Sequence, residues 1–297
     1  MTRINIVRVQ TYSFHKNDTH DKMDSMTDSQ QAKRPSRFRK QLLLPAEHGS
    51  WSWMLVPFLV GTAVSETMNL PVLLVLVGGL SFFLLRQPAT VWVRVRQGKG
   101  RRSDGPIARR IMLILGTITL LCGIGLLLYG RFVMITLLLP FGLLMFAYMQ
   151  VAQGPQSRRS LRMELIGAAA LALMAPAAML AAIGASYQTV WLVWGLMVVQ
   201  NVLGVFYVRQ RIADTRERPF NRQTILWTHV AGLVLVAGTA VFGFIPWLAI
   251  IPIVGFLLRA WWTFQQPRPI DNIKAFGFQE VGIELLSGAF IVAGYLL

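Results

Sequence analysis

The chain has 297 residues, of which 54% are hydrophobic and only 14% charged, where soluble domains run near about a quarter charged. With a mean hydropathy of +0.51, this composition excludes a pair of ordinary soluble domains and points to lipid as the main solvent. Cys122 is the single cysteine and lies in an apolar run, which excludes a disulfide framework and haem, zinc or iron–sulfur sites built on cysteine clusters. A net charge of +16 would suggest nucleic acid for a soluble protein. In a membrane protein the basic residues report orientation instead, and no nucleic-acid partner is expected.

Residues 1–40 are polar, mix Arg and Lys with Asp18, Asp21, Asp24 and Asp28, and contain no apolar core. They read as a disordered cytoplasmic tail, with 41–297 as a single transmembrane helical domain. His15, Asp18, His20, Asp21 and Asp24 are metal-capable, but solvated polar tails carry such mixtures by chance and no metal site is expected. Met23 and Met26 are alternative starts, so translation of 1–22 stays open. No apolar stretch precedes the first span, so no secretory signal peptide is expected.

Beyond the tail, nine mostly apolar stretches reach the length of about 20 residues that crosses about 30 Å of hydrocarbon. They fall at 49–66, 70–91, 109–129, 132–152, 164–184, 188–208, 225–243, 246–264 and 278–297. Most lack an amphipathic stripe, as expected of helices surrounded by lipid or by other helices. The fold class is therefore all-α, a polytopic membrane helix bundle of about nine transmembrane helices. Alternate connections hold 28 of the 29 Lys and Arg residues, and the others hold only Arg131. Because Lys and Arg are retained on the cytoplasmic side, the N-terminus is expected inside and the C-terminus outside.

An ionisable side chain within a bilayer is costly enough to be a functional hypothesis by default, and here such residues gather on one side. Glu47 and His48 precede the first span. Arg86 and Arg94 bracket the inner end of the second, and Glu164 opens the fifth. The sixth carries Gln200 and Asn201 at mid-depth, then Tyr207, Arg209, Arg211 and Asp214. Arg259 lies inside the eighth, and Glu280 and Glu284 begin the ninth. The simplest geometry is a polar vestibule open to the cytoplasm. Its candidate residues are Glu47, His48, Arg86, Arg94, Asn201, Arg209, Arg211, Asp214, Arg259, Glu280 and Glu284.

Each group also has a plainer structural reading. Glu280 and Glu284, four residues apart, share a helical face, and Arg259 is the cation at the same depth, so a helix-pinning ion pair is one outcome. Glu47 can cap a helix, with Trp51 and Trp53 in the interfacial belt. In the 86–110 stretch Pro88 is expected to bend the second helix, and Gly98, Gly100 and Gly105 with Pro106 to make a flexible basic loop. Such a loop sets topology and attracts anionic headgroups at the cytoplasmic face. Its Gly-Lys-Gly has neither a preceding strand nor a following Gly-Lys-Ser/Thr, so it is no nucleotide loop. Asn201 and Arg209, eight residues apart, form a polar stripe that serves interhelical hydrogen bonding or a ligand equally well. His229 reads as a packing histidine.

The run Pro45-Ala46-Glu47-His48-Gly49-Ser50-Trp51, followed by Met54-Leu55-Val56-Pro57-Phe58, resembles the YwiC-like family of bacterial integral membrane proteins, as do Arg86-Gln87-Pro88 and Val281-Gly282-Ile283-Glu284. The resemblance spans about 41–297 and implies a multi-pass protein of the bacterial inner (cytoplasmic) membrane, of uncharacterised activity. A more distant resemblance is to the UbiA-type prenyltransferases, which also have nine helices, an inside N-terminus and functional loops after the second and sixth. That family holds Mg²⁺ and a prenyl diphosphate on two Asp-rich motifs. Here those positions offer Arg86, Arg94 and Arg96, with Asp104 further on, and then Arg209 and Arg211 ahead of Asp214 and Glu217. Mg²⁺ needs hard anionic oxygens, so Mg²⁺ is expected only if the transferase alternative holds, and no cofactor otherwise. Arginines can hold a phosphate or carboxylate without metal.

Three functions remain: from the residues, a binding or transport-like protein for an anionic or amphiphilic ligand and a structural membrane subunit; and, as the more distant resemblance implies, a UbiA-like transferase acting on an isoprenoid or other lipid. The partners expected are membrane lipids with anionic headgroups, and an isoprenoid or small anion.

Overall fold

The computed structural model describes residues 50–152 and 160–297. Among the described residues every regular element is a helix and no strand occurs. The α-helices are α1 (Ser52–Val64), α2 (Leu70–Arg96), α3 (Asp104–Leu128), α4 (Leu138–Ala152), α5 (Leu161–Ala172), α6 (Met174–Ala182), α7 (Tyr187–Thr215), α8 (Arg222–Val241), α9 (Ile250–Gln265) and α10 (Ile273–Leu296). Short 3₁₀ turns at Phe132–Leu137 and Trp247–Ala249 lead into α4 and α9. Among the described residues eight segments are long and apolar enough to cross a membrane, with α5 and α6 together forming one, Leu161–Ala182. The remaining apolar segment, Ser50–Val64, is shorter. Its 13-residue helix α1 rises only about 20 Å at about 1.5 Å per residue. The chain is a multispanning membrane protein.

The ends of these helices follow from sequence. Asn69 accepts from the Val72 amide at 3.1 Å and is followed by Pro71, whose missing N–H costs nothing in a first turn. Ser160, Ser186, Asn221 and Asn272 cap α5, α7, α8 and α10 in the same way. Gly130 and Gly243 end α3 and α8 with φ of +73° each, the left-handed conformation that lets Arg131 N–H reach back to Leu126 and Phe244 N–H to Thr239. The break between α5 and α6 sits at Leu173, three residues before Pro176. Pro176 has no N–H for the Ala172 carbonyl, and its ring crowds that carbonyl.

One expectation requires correction. The second helix does not end near residue 91; α2 continues through Pro88 to Arg96, and Gly105 and Pro106, expected in the loop, stand in the first turn of α3. Pro88 removes a single ladder bond, its ring is buried, and Arg94 and Arg96 lie in the last turn, where the helix dipole favours cations. The loop is thereby reduced to residues 97–103.

Helix α7 lies at the centre. It buries Val193, Leu196, Met197 and Leu203 in a cluster with Val56 and Val60 of α1, Met179 of α6, Val236 of α8, Ile253 and Phe256 of α9, and Ile291 of α10. Close approach depends on small residues. A Cβ on Gly61 would stand 2.8 Å from the Cα of Ala175, so α1 and α6 touch backbone to backbone. A Cβ on Gly288 would meet Val60 at 2.9 Å and Val56 at 3.2 Å. Trp53 meets Glu284, one turn before Gly288, so α1 and α10 run parallel, as the first and ninth of alternating spans must. α3 and α4 are peripheral: the apolar window of α3 is 11% buried and that of α4 0%.

Candidate functional site

The site is built where α7, α8, α9 and α10 come together on the side of the 216–221 and 266–272 connections. Arg259 lies six residues before the end of α9, and Glu280 and Glu284 lie seven and eleven residues after the start of α10. At about 1.5 Å per residue these positions lie about 9, 10 and 16 Å inside the bundle. Nη1 of Arg259 donates to both oxygens of Glu280, at 2.9 and 3.0 Å. The two side chains are only 12% and 11% exposed. The guanidinium carbon lies over two rings, 3.8 Å from the centroid of Tyr207 and 5.0 Å from that of Phe256, a placement that favours a cation through the ring quadrupole.

Glu284, one turn deeper, takes a different partner. The Trp53 indole donates to its Oε1 at 2.7 Å, and Ser52 lies alongside the carboxylate. Gly204 of α7 faces this contact, and a Cβ there would sit 3.5 Å from Glu284 Oε1 and 3.6 Å from Trp53 Nε1. The Gln200 amide donates to the Glu284 carbonyl at 3.3 Å and accepts from the Ser287 hydroxyl at 2.8 Å. The Asn201 amide donates to the carbonyls of Trp53 and Ala168, both at 3.1 Å. This network ties α1, α5, α7 and α10 at mid-depth, where a polar group finds no water.

Several polar atoms stay unmatched in this centre. Arg259 Nε and Nη2, Glu284 Oε2, Asn201 Oδ1 and His229 Nε2 are buried without a hydrogen-bond partner among the described residues. His229 is anchored by its other nitrogen, 2.9 Å from the Ile225 carbonyl. Leaving such an atom unpaired costs about 1–3 kcal/mol, and five of the eight buried unmatched side-chain atoms among the described residues lie on these four side chains.

Arg209, Arg211 and Arg222 on the α7–α10 side are engaged. Arg209 pairs with Glu164 at 2.8 Å. Arg211 donates to the Arg268 carbonyl at 2.8 Å and to the Tyr207 hydroxyl at 2.9 Å, over the Phe276 ring. Asp214 receives Arg222 on Oδ1 and the Arg268 amide, at 2.9 Å, on Oδ2. Arg86 and Arg94 lie apart from this centre. Both are exposed on α2, with no carboxylate at ion-pair distance among the described residues. Glu47 and His48 lie outside the described residues. The eleven candidates therefore divide: Arg259, Glu280, Glu284 and Asn201 build one buried centre, Arg209, Arg211 and Asp214 brace its rim, and Arg86 and Arg94 belong to a separate basic surface.

Residues 44–179 match the YwiC-like protein family. This YwiC-like stretch is narrower than the 41–297 read from sequence and covers α1 to most of α6. It contributes Trp53 and Ala168 to the polar centre, whereas Asn201, Arg259, Glu280 and Glu284 lie beyond it. No curated protein and no solved structure matches the chain. The UbiA-type likeness thus rests on sequence alone; at its second motif both oxygens of Asp214 are taken, by a guanidinium and an amide, and Glu217 is exposed. Among the described residues no three His, Cys, Asp or Glu side chains gather as metal ligands do.

Proposed function

We propose that this YwiC-like protein is a binding or transport-like protein of the bacterial cytoplasmic membrane, with its N-terminus inside. Its polar centre takes the anionic head of an amphiphile from the cytoplasmic side. The observation that carries this reading is the unpartnered edge of Arg259. Nη1 is committed to Glu280, but Nε and Nη2, the fork that matches a carboxylate or phosphate bidentately, donate to nothing among the described residues. A ligand head with a hydroxyl or protonated oxygen would also satisfy Glu284 Oε2. The apolar tail would lie among the surrounding helices. The fork is covered in the present arrangement, so entry requires the α9–α10 end to loosen, which suits an occluded site that opens to one side.

Native mass spectrometry of the purified protein after exposure to a bacterial lipid extract tests this. The expected result is retention of an anionic amphiphile by the wild type and its loss by at least tenfold in Arg259→Lys, which keeps a cation for Glu280 but removes the fork, with thermal stability near wild type. Equal retention by both proteins, or none by the wild type, refutes the reading. Orientation is tested separately in a Cys122→Ser background: single cysteines at Lys99 and Arg218 are expected to react only after the cytoplasmic face is exposed, and one at Phe242 from outside.

A further inference from the structure

We infer that the α2–α3 turn forms a second, independent site, which binds the headgroup phosphate of an anionic phospholipid. The end of α2 and the start of α3 enclose an open groove of about 430 Å³ lined by Trp92, Arg96, Arg109, Arg110 and Leu113. The Arg96 guanidinium is laid over the Trp92 ring, 4.3 Å from its centroid, which holds the charge at the groove. Arg109 and Arg110 stand on the second turn of α3, exposed. No carboxylate lies at ion-pair distance from any of the three arginines among the described residues. Between residues 86 and 110 the sequence holds eight basic residues and one acid, Asp104. These cations therefore differ from Arg209, Arg222 and Arg259, each of which has a carboxylate partner.

The polarity of the groove selects a lipid over a free anion. One turn along α3 from Arg109 and Arg110, Leu113 and Ile114 are 56% and 60% exposed. α3 is also among the least buried spans, so the arginines lead directly onto a bare apolar helix face. Trp92 stands at the junction, where an indole prefers the boundary between headgroup and hydrocarbon. A phosphate between Arg96, Arg109 and Arg110 places its acyl chains along Leu113 and Ile114. The site depends on neither Arg259 nor Glu284.

The full-length protein is titrated with phosphatidylglycerol and, separately, with phosphatidylcholine of the same chain length in mixed micelles, with bound lipid counted by native mass spectrometry. Wild type is expected to bind phosphatidylglycerol in preference. The preference should fall about fivefold for Arg110→Gln alone and about a hundredfold for Arg96→Gln/Arg109→Gln/Arg110→Gln, because each arginine near an anionic surface contributes about 1 kcal/mol. Arg101→Gln/Arg102→Gln, on the same turn but outside the groove, should bind like wild type. Equal binding of the two lipids by wild type, unchanged binding by Arg110→Gln, or an equal loss in the Arg101/Arg102 variant overturns the inference. Full displacement of bound lipid by millimolar glycerol 3-phosphate does so too, since the apolar wall would then contribute nothing.

Discussion

Breaking the Arg259–Glu280 pair from one side should cost far more than replacing both partners. In Glu280→Gln the guanidinium keeps its place, 12% exposed and covered by Tyr207, but loses the charge that compensates it. In Arg259→Met the carboxylate, 11% exposed, is stranded instead. An uncompensated charge in such surroundings costs about 3–5 kcal/mol, whereas replacing both partners with apolar side chains of similar volume is close to neutral. The lower end of that range applies, because helices unfolded within a micelle still offer a stray charge some partners. Each single variant should therefore lose about 3 kcal/mol, and Arg259→Met/Glu280→Leu about 1–2 kcal/mol, the remaining loss being the attraction between cation and ring. The coupling energy is then about 4 kcal/mol or more, well above the about 0.5 kcal/mol within which independent sites add. Reversible unfolding in mixed detergent micelles, followed by circular dichroism, measures all four corners of the cycle. If the double variant lost the sum of the singles, the pair would not be acting as a buried unit, and the account of this centre would be wrong.

Trp53→Phe should lose about 1–3 kcal/mol in the same assay, because it removes the 2.7 Å donor to a buried carboxylate; the loss should shrink when Glu284→Leu is already present. Gly61→Ala forces a methyl against the Ala175 backbone and should cost about 1–3 kcal/mol by overpacking. Gly238→Ala on α8, where a Cβ meets nothing within 4 Å, should be neutral or stabilise by up to about 1 kcal/mol.

How far the sequence reaches is seen by comparing residues that report local physics with residues that report contacts. Span positions were legible because runs of about twenty apolar residues suit a bilayer crossing; the caps at Asn69, Ser160, Ser186 and Asn221, bonds three residues long, emerge with the structure. The end of the second helix was less legible, because nothing in the apolar pattern marks the further turn that carries Arg94 and Arg96 beyond residue 91. The pairing of Arg259 with a glutamate was legible in depth, since both lie about equally far from the 266–272 connection. The choice between Glu280 and Glu284 was not. Spacing puts both acids on one face, and only the arrival of Trp53, 231 residues away in the chain, separates them.

That separation determines what the basic residues do. Charge partition treats the Lys and Arg residues alike, because retention on one side of a membrane depends on charge alone. Folding then sorts them by whether a carboxylate is brought within reach. α5, α7 and α10 carry Glu164, Asp214 and Glu280 to Arg209, Arg222 and Arg259, so on this side these three arginines fasten helices, and the buried fork of Arg259 keeps two donors without a hydrogen-bond partner among the described residues. The α2–α3 hairpin brings no acid to Arg96, Arg109 or Arg110, so there the same residue type remains a surface for anions. A single cationic vestibule, the simplest geometry from sequence, thus resolves into a nearly neutral buried centre and a bare basic groove. The two should respond oppositely to salt. Ligand held at Arg259, inside low-dielectric surroundings, should be little screened, whereas lipid at the α2–α3 groove should weaken steeply as the Debye length falls from about 10 Å at 0.1 M to about 3 Å at 1 M.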